Sequence, residues 1–256
     1  DISNTNLFFK NLKLNKAVID SKKVKKNDIF FTIKGNKKDA HNYLDEVFKK
    51  KASIAIVNRI KKKTNYTKQI KVKNTLNFLT NCASEFRNNI DTTIIAITGS
   101  CGKTSLKDLL SSTLNEFKRT SCSKKSYNNK FGVPLSLFNF NQKDTFGVLE
   151  VGIDKKGEID YLSNIIKPDV GVITNVSYAH IKNFKNISEI AAAKGEIINN
   201  IKDNGSIVLN ADDKFYNFHK FLALKKGLKV YNFSYYKKNT TVNLKKIVKQ
   251  KNKYKI

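Results

Sequence analysis

Apolar residues along the chain fall into short runs and into helical stripes. The segments 17–20 (AVID) and 28–33 (DIFFTI) are apolar runs with turn signals around them, and 53–57 (SIAIV) reads as a buried strand. Residues 45–51 read as a helix. So do residues 74–87, where Leu76, Leu79, Ala83 and Phe86 recur at spacings of three and four. Strands alternating with helices predict an α/β layer.

The alternation becomes more regular after residue 90. The run 93–98 (TIIAIT) is strand-like and meets Gly99. Leu106, Leu109, Leu110, Leu114 and Phe117 follow as one helical stripe. Strands are expected at 146–151 (FGVLEV), 170–174 (VGVIT) and 207–210 (IVLN), with helices at 158–166 and 188–201. Repeated β–α alternation predicts a mostly parallel sheet covered by helices on both faces. Short alternating segments in 230–256 (KVYNFSYY, TTVNLKKIVK) suggest antiparallel strands. The expected organisation is a small α/β domain at 1–88 and a larger α/β domain at 89–256.

Composition narrows the class. With 40% hydrophobic residues in 256, a sizeable core is available and disorder throughout is excluded. No apolar run reaches the roughly 18–20 residues of a membrane span, and DISNTNLFFK does not have the pattern of a signal peptide. Cys82, Cys101 and Cys122 are odd in number and form no CxxC pair, which argues against a disulfide framework and a cysteine zinc site. A cytoplasmic location is the default expectation. The chain holds no Met and stops in mid-pattern at KQKNKYKI, so a fragment is expected.

The net charge of +28 admits two readings. A basic surface can track nucleic-acid phosphates. Here the Lys runs, such as Lys61-Lys62-Lys63, are scattered and do not form one stripe with interleaved aromatics. General drift toward Lys, Asn and Ile is the better account, and no nucleic-acid partner is expected.

The sharpest chemical pattern is TGSCGKTS, from Thr98 to Ser105, between a strand and an amphipathic helix. Glycines let backbone N–H groups approach an anion, and the helix N-terminus adds partial positive charge. Gly99, Ser100, Cys101, Gly102, Lys103, Thr104 and Ser105 therefore form a candidate ATP phosphate loop. Lys103 reaches the β- and γ-phosphates, and the Thr104 hydroxyl suits Mg²⁺. The G-x-x-G-K-T spacing is shorter than the usual P-loop, with Ile97 where the first glycine would stand.

Ligands of open α/β sheets bind at the carboxyl ends of the strands. Glu150, Asn175, His180, Asn210, Asp212 and Asp213 all fall there. Singly each has a structural explanation; together they suit Mg²⁺ bridging phosphates. Lys194 lies on the stripe of Ile187, Ile190, Ala191, Ile198 and Ile201. Its spacing admits snorkelling to the helix edge or a lysine turned toward a site with a depressed pKa.

With these residues laid out, the chain resembles the Mur ligase family over nearly its whole length. The resemblance rests on AITGSCGKTSLKDLL, YNNKFGVPLSL, LEVGIDKKGEIDYL, TNVSYAH, AAAKGEI and VLNADD, and at the front on DSKKVKKNDIFFTIKG and DAHNYL. It implies a uridine-nucleotide-binding domain followed by a truncated ATP-binding central domain, with the family's third domain absent. Lys103, Lys194 and His180 would be catalytic. Thr104 and Glu150 would bind one Mg²⁺ and His180 a second. Lys194 would carry a CO₂-derived carbamate as a further metal ligand. Asn210 would lie near the adenine. Asn128 and Asn129 would contact the muramoyl substrate. Ser21 and Lys22 would lie at the uridine diphosphate, with Lys22 where the family usually has Arg.

The implied reaction is ATP-dependent amide formation through an acyl phosphate in bacterial peptidoglycan precursor synthesis. The GEI block favours UDP-N-acetylmuramoyl-tripeptide and D-alanyl-D-alanine as partners, with ADP and phosphate as products. A monomer is expected. The alternatives are a Mur-type ligase for another amino acid, a basic P-loop module that binds nucleic acid, and a fragment or pseudo-ligase that binds nucleotide without activity. A 256-residue piece without the third domain is expected to be inactive.

Overall fold

A computed structural model describes residues 13–35, 39–178, 183–245, 248–250 and 253–255. The chain divides into two compact units, 1–85 and 86–256.

In the first unit, β1 (Ala17–Val18), β2 (Ile29–Phe31), β3 (Ile54–Val57) and β4 (Gln69–Lys71) form a four-stranded sheet in chain order. Its pairings are all parallel. β2 and β3 are buried throughout, which is why their sequences run apolar instead of alternating. Helix α1 (Leu44–Lys49) lays Leu44, Val47 and Phe48 into a core with Phe30, Ala55 and Val57. Helix α2 (Thr75–Asn88) buries Leu79 and Ala83. The strand at 69–71 had no apolar run to announce it.

The second unit is built on β5 (Thr93–Thr98), β6 (Thr120–Cys122), β7 (Phe146–Glu150), β8 (Val170–Ile173), β9 (Ser206–Asn210), β10 (Lys229–Ser234) and β11 (Val242–Asn243). They form one seven-stranded sheet in the order β11-β10-β9-β8-β5-β7-β6. Every pairing in it is parallel. The helices are α3 (Lys103–Phe117), α4 (Gly132–Phe138), α5 (Glu158–Ile166), α6 (Ile187–Gly195) and α7 (Tyr216–Lys225). β5 sits between β7 and β8, so the chain leaving it enters the crevice where strand order reverses. Ile95, Ile97, Val148 and Val172 form a core under Leu106, Leu110 and Leu114 of α3.

Three expectations are corrected. The helix expected at 188–201 is α6, ending at Gly195, followed by a 3₁₀ turn over Glu196–Asn200. Gly195 is a poor helix former, and a Cβ there would come within 3.2 Å of the His219 ring. The region 230–256 is not wholly antiparallel: β10 and β11 are parallel, and among the described residues only β12 (Val248–Gln250) and β13 (Lys253–Lys255) pair antiparallel. β10 returns through helix α7, a crossover that allows parallel pairing. On α3, Leu109 and Phe117 are 67% and 74% exposed, so only part of the predicted stripe packs.

Candidate active site

The TGSCGKTS segment turns sharply between β5 and α3. Gly99 has φ +146° and Gly102 has φ +81°, conformations L side chains rarely adopt. A Cβ at Gly99 would also fall 1.8 Å from Thr174 Oγ1. The segment after β8 braces the loop. Ser100 N donates to Asn175 O (2.9 Å) and Cys101 N to Asn175 Oδ1 (3.0 Å). Thr174 Oγ1 donates to Cys101 O (2.7 Å), and Ser177 N to Ser100 Oγ (2.8 Å). Asp213, after β9, accepts from Val176 N (2.7 Å), so a third strand end supports the second.

Lys103 Nζ donates to Gly99 O (2.7 Å) and Ser100 O (3.3 Å), which holds the ammonium over the loop's own carbonyls. Thr104, one residue into α3, donates to Glu150 Oε2 at 2.8 Å. Glu150 ends β7, opposite Ile97 in the ladder, and is buried. Its other oxygen accepts from Asn128 Nδ2 at 2.8 Å. A hydroxyl and a carboxylate oxygen thus meet beside the phosphate loop, the hard oxygen donors that suit Mg²⁺. No group of three or more His, Cys, Asp or Glu gathers around a possible metal among the described residues.

Lys194, on α6, is fully buried. Its Nζ has no hydrogen-bond partner among the described residues. Snorkelling is therefore excluded. Its pKa is lowered to about 8, by burial first and by the Lys103 cation second, with Cys101 opposing them. A buried ammonium without a partner is costly, and an anionic derivative paired with a bound cation would offset that cost. The residues present fit such a modification and an adjacent cation.

The remaining sequence candidates take different places. His180 lies outside the described residues. Asn210 Oδ1 accepts from Asp212 N (3.0 Å) and shapes the turn after β9. Asn129 Oδ1 accepts from Phe131 N and Gly132 N, capping the approach to α4. Ser105 is exposed on the first turn of α3. In the first unit, Ser21 is buried, and its carbonyl accepts from Lys50 Nζ at 2.8 Å; Lys22 is exposed.

That unit also carries a cleft of about 280 Å³ lined by Lys34, Asp39, His41, Asn58, Arg59 and Lys73. Asp39 Oδ2 accepts from Arg59 (2.6 Å) and its Oδ1 contacts His41 Nδ1 (2.6 Å). Burial pushes the Asp39 carboxyl up, but the His41 hydrogen bonds and the Arg59 cation more than offset this, and its pKa is lowered. Sequence reading named neither Arg59 nor Lys73. Only their position just beyond β3 and β4, at the ligand edge of a parallel sheet, marks them. It also missed Lys107 and Ser123.

A parallel sheet carrying this short phosphate loop, with a carboxylate at the neighbouring strand end and a buried lysine, defines a class of nucleotide-using enzyme. The Mur ligase middle domain model matches residues 97–256, and the chain belongs to the Mur ligase family. It is 36% identical over 236 residues to UDP-N-acetylmuramoyl-tripeptide–D-alanyl-D-alanine ligase of Buchnera aphidicola subsp. Acyrthosiphon pisum, covering 92% of this chain and 50% of that protein. Among solved structures it is similar to MurF ligase from Thermotoga maritima in complex with ADP, with TM-score 0.82 and 28% identity, covering 96% of this chain and 56% of that one. It is also similar to MurF from Acinetobacter baumannii, with TM-score 0.80 and 30% identity, covering 91% and 50%. The chain spans about half the length of the curated relatives it matches.

Proposed function

We propose that this chain is the uridine-nucleotide and ATP-binding half of a ligase that joins D-alanyl-D-alanine to UDP-N-acetylmuramoyl-tripeptide, forming ADP and phosphate. The observation that carries the reading is the Thr104–Glu150 pair at the mouth of the phosphate loop. The named relatives and the ADP-bound neighbour support the substrates and the nucleotide.

The carboxylate of the tripeptide attacks the γ-phosphate, giving an acyl phosphate and ADP; the amine of D-alanyl-D-alanine then attacks the carbonyl and phosphate leaves. Gly99 to Ser105 cradle the β- and γ-phosphates, and Lys103 exchanges its loop carbonyls for phosphate oxygens. Thr104, Glu150 and Lys194 as its carbamate would hold Mg²⁺, with His180 as ligand of a second ion. Bound Mg²⁺ supplies charge neutralisation where carboxylate and phosphates converge. Asn128 orients Glu150 and, with Asn129, faces the muramoyl side. Asn210 borders the adenine.

The 1–88 portion would take the uridine diphosphate. Ser21 and Lys22 stand for it on resemblance, and the cleft of Lys34, Arg59 and Lys73 adds cations that suit a diphosphate.

A second reading is favoured by the chain's spanning half of its relatives: this piece binds nucleotide without completing the amide bond. Phosphate release by the full-length gene product, with Mg-ATP and both substrates omitted in turn, tests both. Release that needs all three and is lost in Lys103→Ala supports the ligase. Release by the 256-residue chain alone would overturn the second reading.

A further inference from the structure

Among the described residues of this unit Lys107 is, with Lys194, a buried lysine, 2% exposed on α3. It follows Thr104 by three residues and so shares its helix face. An apolar residue would fill that stripe position at lower cost, since a buried cation must be compensated. Its Nζ donates to Ser123 O at 2.9 Å and pairs with the exposed Asp108 carboxylate at 3.0 Å.

Ser123 is 1% exposed and lies just beyond β6. Its N–H donates to Val148 O (2.9 Å), which continues the ladder to β7. Its Oγ accepts from the backbone N–H of Glu150 at 3.2 Å. The Glu150 carboxylate returns to Thr104 on α3. The connections close a ring: Thr104 and Lys107 on one helix, Ser123 on the next loop, and Glu150 at the strand end. Lys107, Ser123 and Glu150 are buried and Thr104 is half-buried, so the ring fixes the Glu150 carboxylate against the first turn of α3.

We infer that Lys107 and Ser123 are positioning residues that hold Glu150 in register with Thr104, and so set how strongly the site couples nucleotide binding to a divalent cation. The inference rests on the nucleotide reading above. Groups one shell removed from a metal ligand commonly change metal affinity by about 10–100-fold.

Calorimetric titration of the 256-residue chain with ADP over a series of Mg²⁺ concentrations tests it. Lys107→Met and Ser123→Ala should each raise the Mg²⁺ needed for half-maximal enhancement by about tenfold, with ADP affinity in EDTA unchanged. Ser123→Thr keeps the hydroxyl and should stay close to wild type. Mg²⁺ curves that superimpose on wild type, with only the melting temperature lowered, would reduce both residues to packing and overturn the inference. If Lys107→Met does not fold, Ser123→Ala, which removes a single oxygen, decides the matter. A wild-type chain that binds no ADP at any Mg²⁺ concentration would overturn the nucleotide reading and this inference with it. Wild-type binding with unmoved variants would overturn the inference alone.

Discussion

Lys194 places an ammonium group in the protein interior with nothing to accept its protons among the described residues. With a pKa of about 8, roughly a tenth of it is neutral at pH 7, against a negligible fraction for an ordinary lysine. The neutral amine is the form that reacts with CO₂. In metal-free, CO₂-depleted buffer, Lys194→Met should therefore stabilise the chain by about 1 kcal/mol in urea unfolding, while nucleotide-dependent chemistry is lost. A stability loss of similar size would mean that the amine has a compensating partner. Gly99 is as sharply constrained: Gly99→Ala meets both a positive φ and the Thr174 hydroxyl. It should cost roughly 2 kcal/mol and abolish ADP binding in a fluorescence titration, whereas a tolerated Gly99→Ala would show that the loop relaxes. At this scale the sequence revealed which residue types carry chemistry but not where their side chains point. Lys194 stood on an apolar stripe, and spacing alone left snorkelling open. The amide of Asn128 also donates to Glu150, a long-range pairing that spacing cannot express.

Two elements are pinned by single buried polar side chains. On α7, His219 is buried, and its Nε2–H donates to Ala191 O on α6 at 2.9 Å. Burial holds its pKa below the ordinary 6.5, and the Lys194 cation adds to this; the Ala191 hydrogen bond and Asp213 oppose it. The unfolded chain thus binds the proton more readily. The contribution is fully present above pH 6.5 and is lost as pH falls toward the lower folded value. His219→Gln should flatten the melting temperature against pH below about 6.5; an unchanged slope would assign it to other groups. At the C-terminus of α5, Arg87 donates to Ile166 O, Thr92 O, Lys167 O and the Asp169 carboxylate. Arg87→Met leaves these acceptors stranded and should cost about 3 kcal/mol in urea unfolding. A loss below about 1 kcal/mol would show that water satisfies them. Elements were legible where burial is two-sided. β5 and β7 are continuous apolar runs that could hardly be anything else. Helix α7 was not legible, because Phe218, Phe221 and Leu224 are exposed and blur the core-facing stripe. With α7 hidden, β10 lost its crossover and was read as antiparallel.

Over the whole chain, 49 basic residues face 21 acidic ones. Repulsion on that scale opposes the compact state. Raising NaCl from about 20 mM to about 300 mM, which shortens the screening length severalfold, should raise the melting temperature. A fall would mean that ion pairs such as Lys61–Asp45 and Arg59–Asp39 outweigh the repulsion. The α/β class and the glycine turn between β5 and α3 were readable from alternation and glycine spacing. Strand order was not, because it depends on which faces find one another after the chain has been made.

That order has a temporal consequence. β5 is the first strand of the larger sheet to leave the ribosome, yet both its neighbours, β7 and β8, are encoded well downstream, and β6, next in sequence, joins only at the far edge. Its hydrogen bonds must wait for partners made later, which places the unit among slow, high-contact-order folders. Until those partners arrive, the candidate phosphate turn between β5 and α3 has no frame. The part of the molecule with the most chemistry is begun early and finished late, and a nucleotide present at that moment would act as the last piece of the fold.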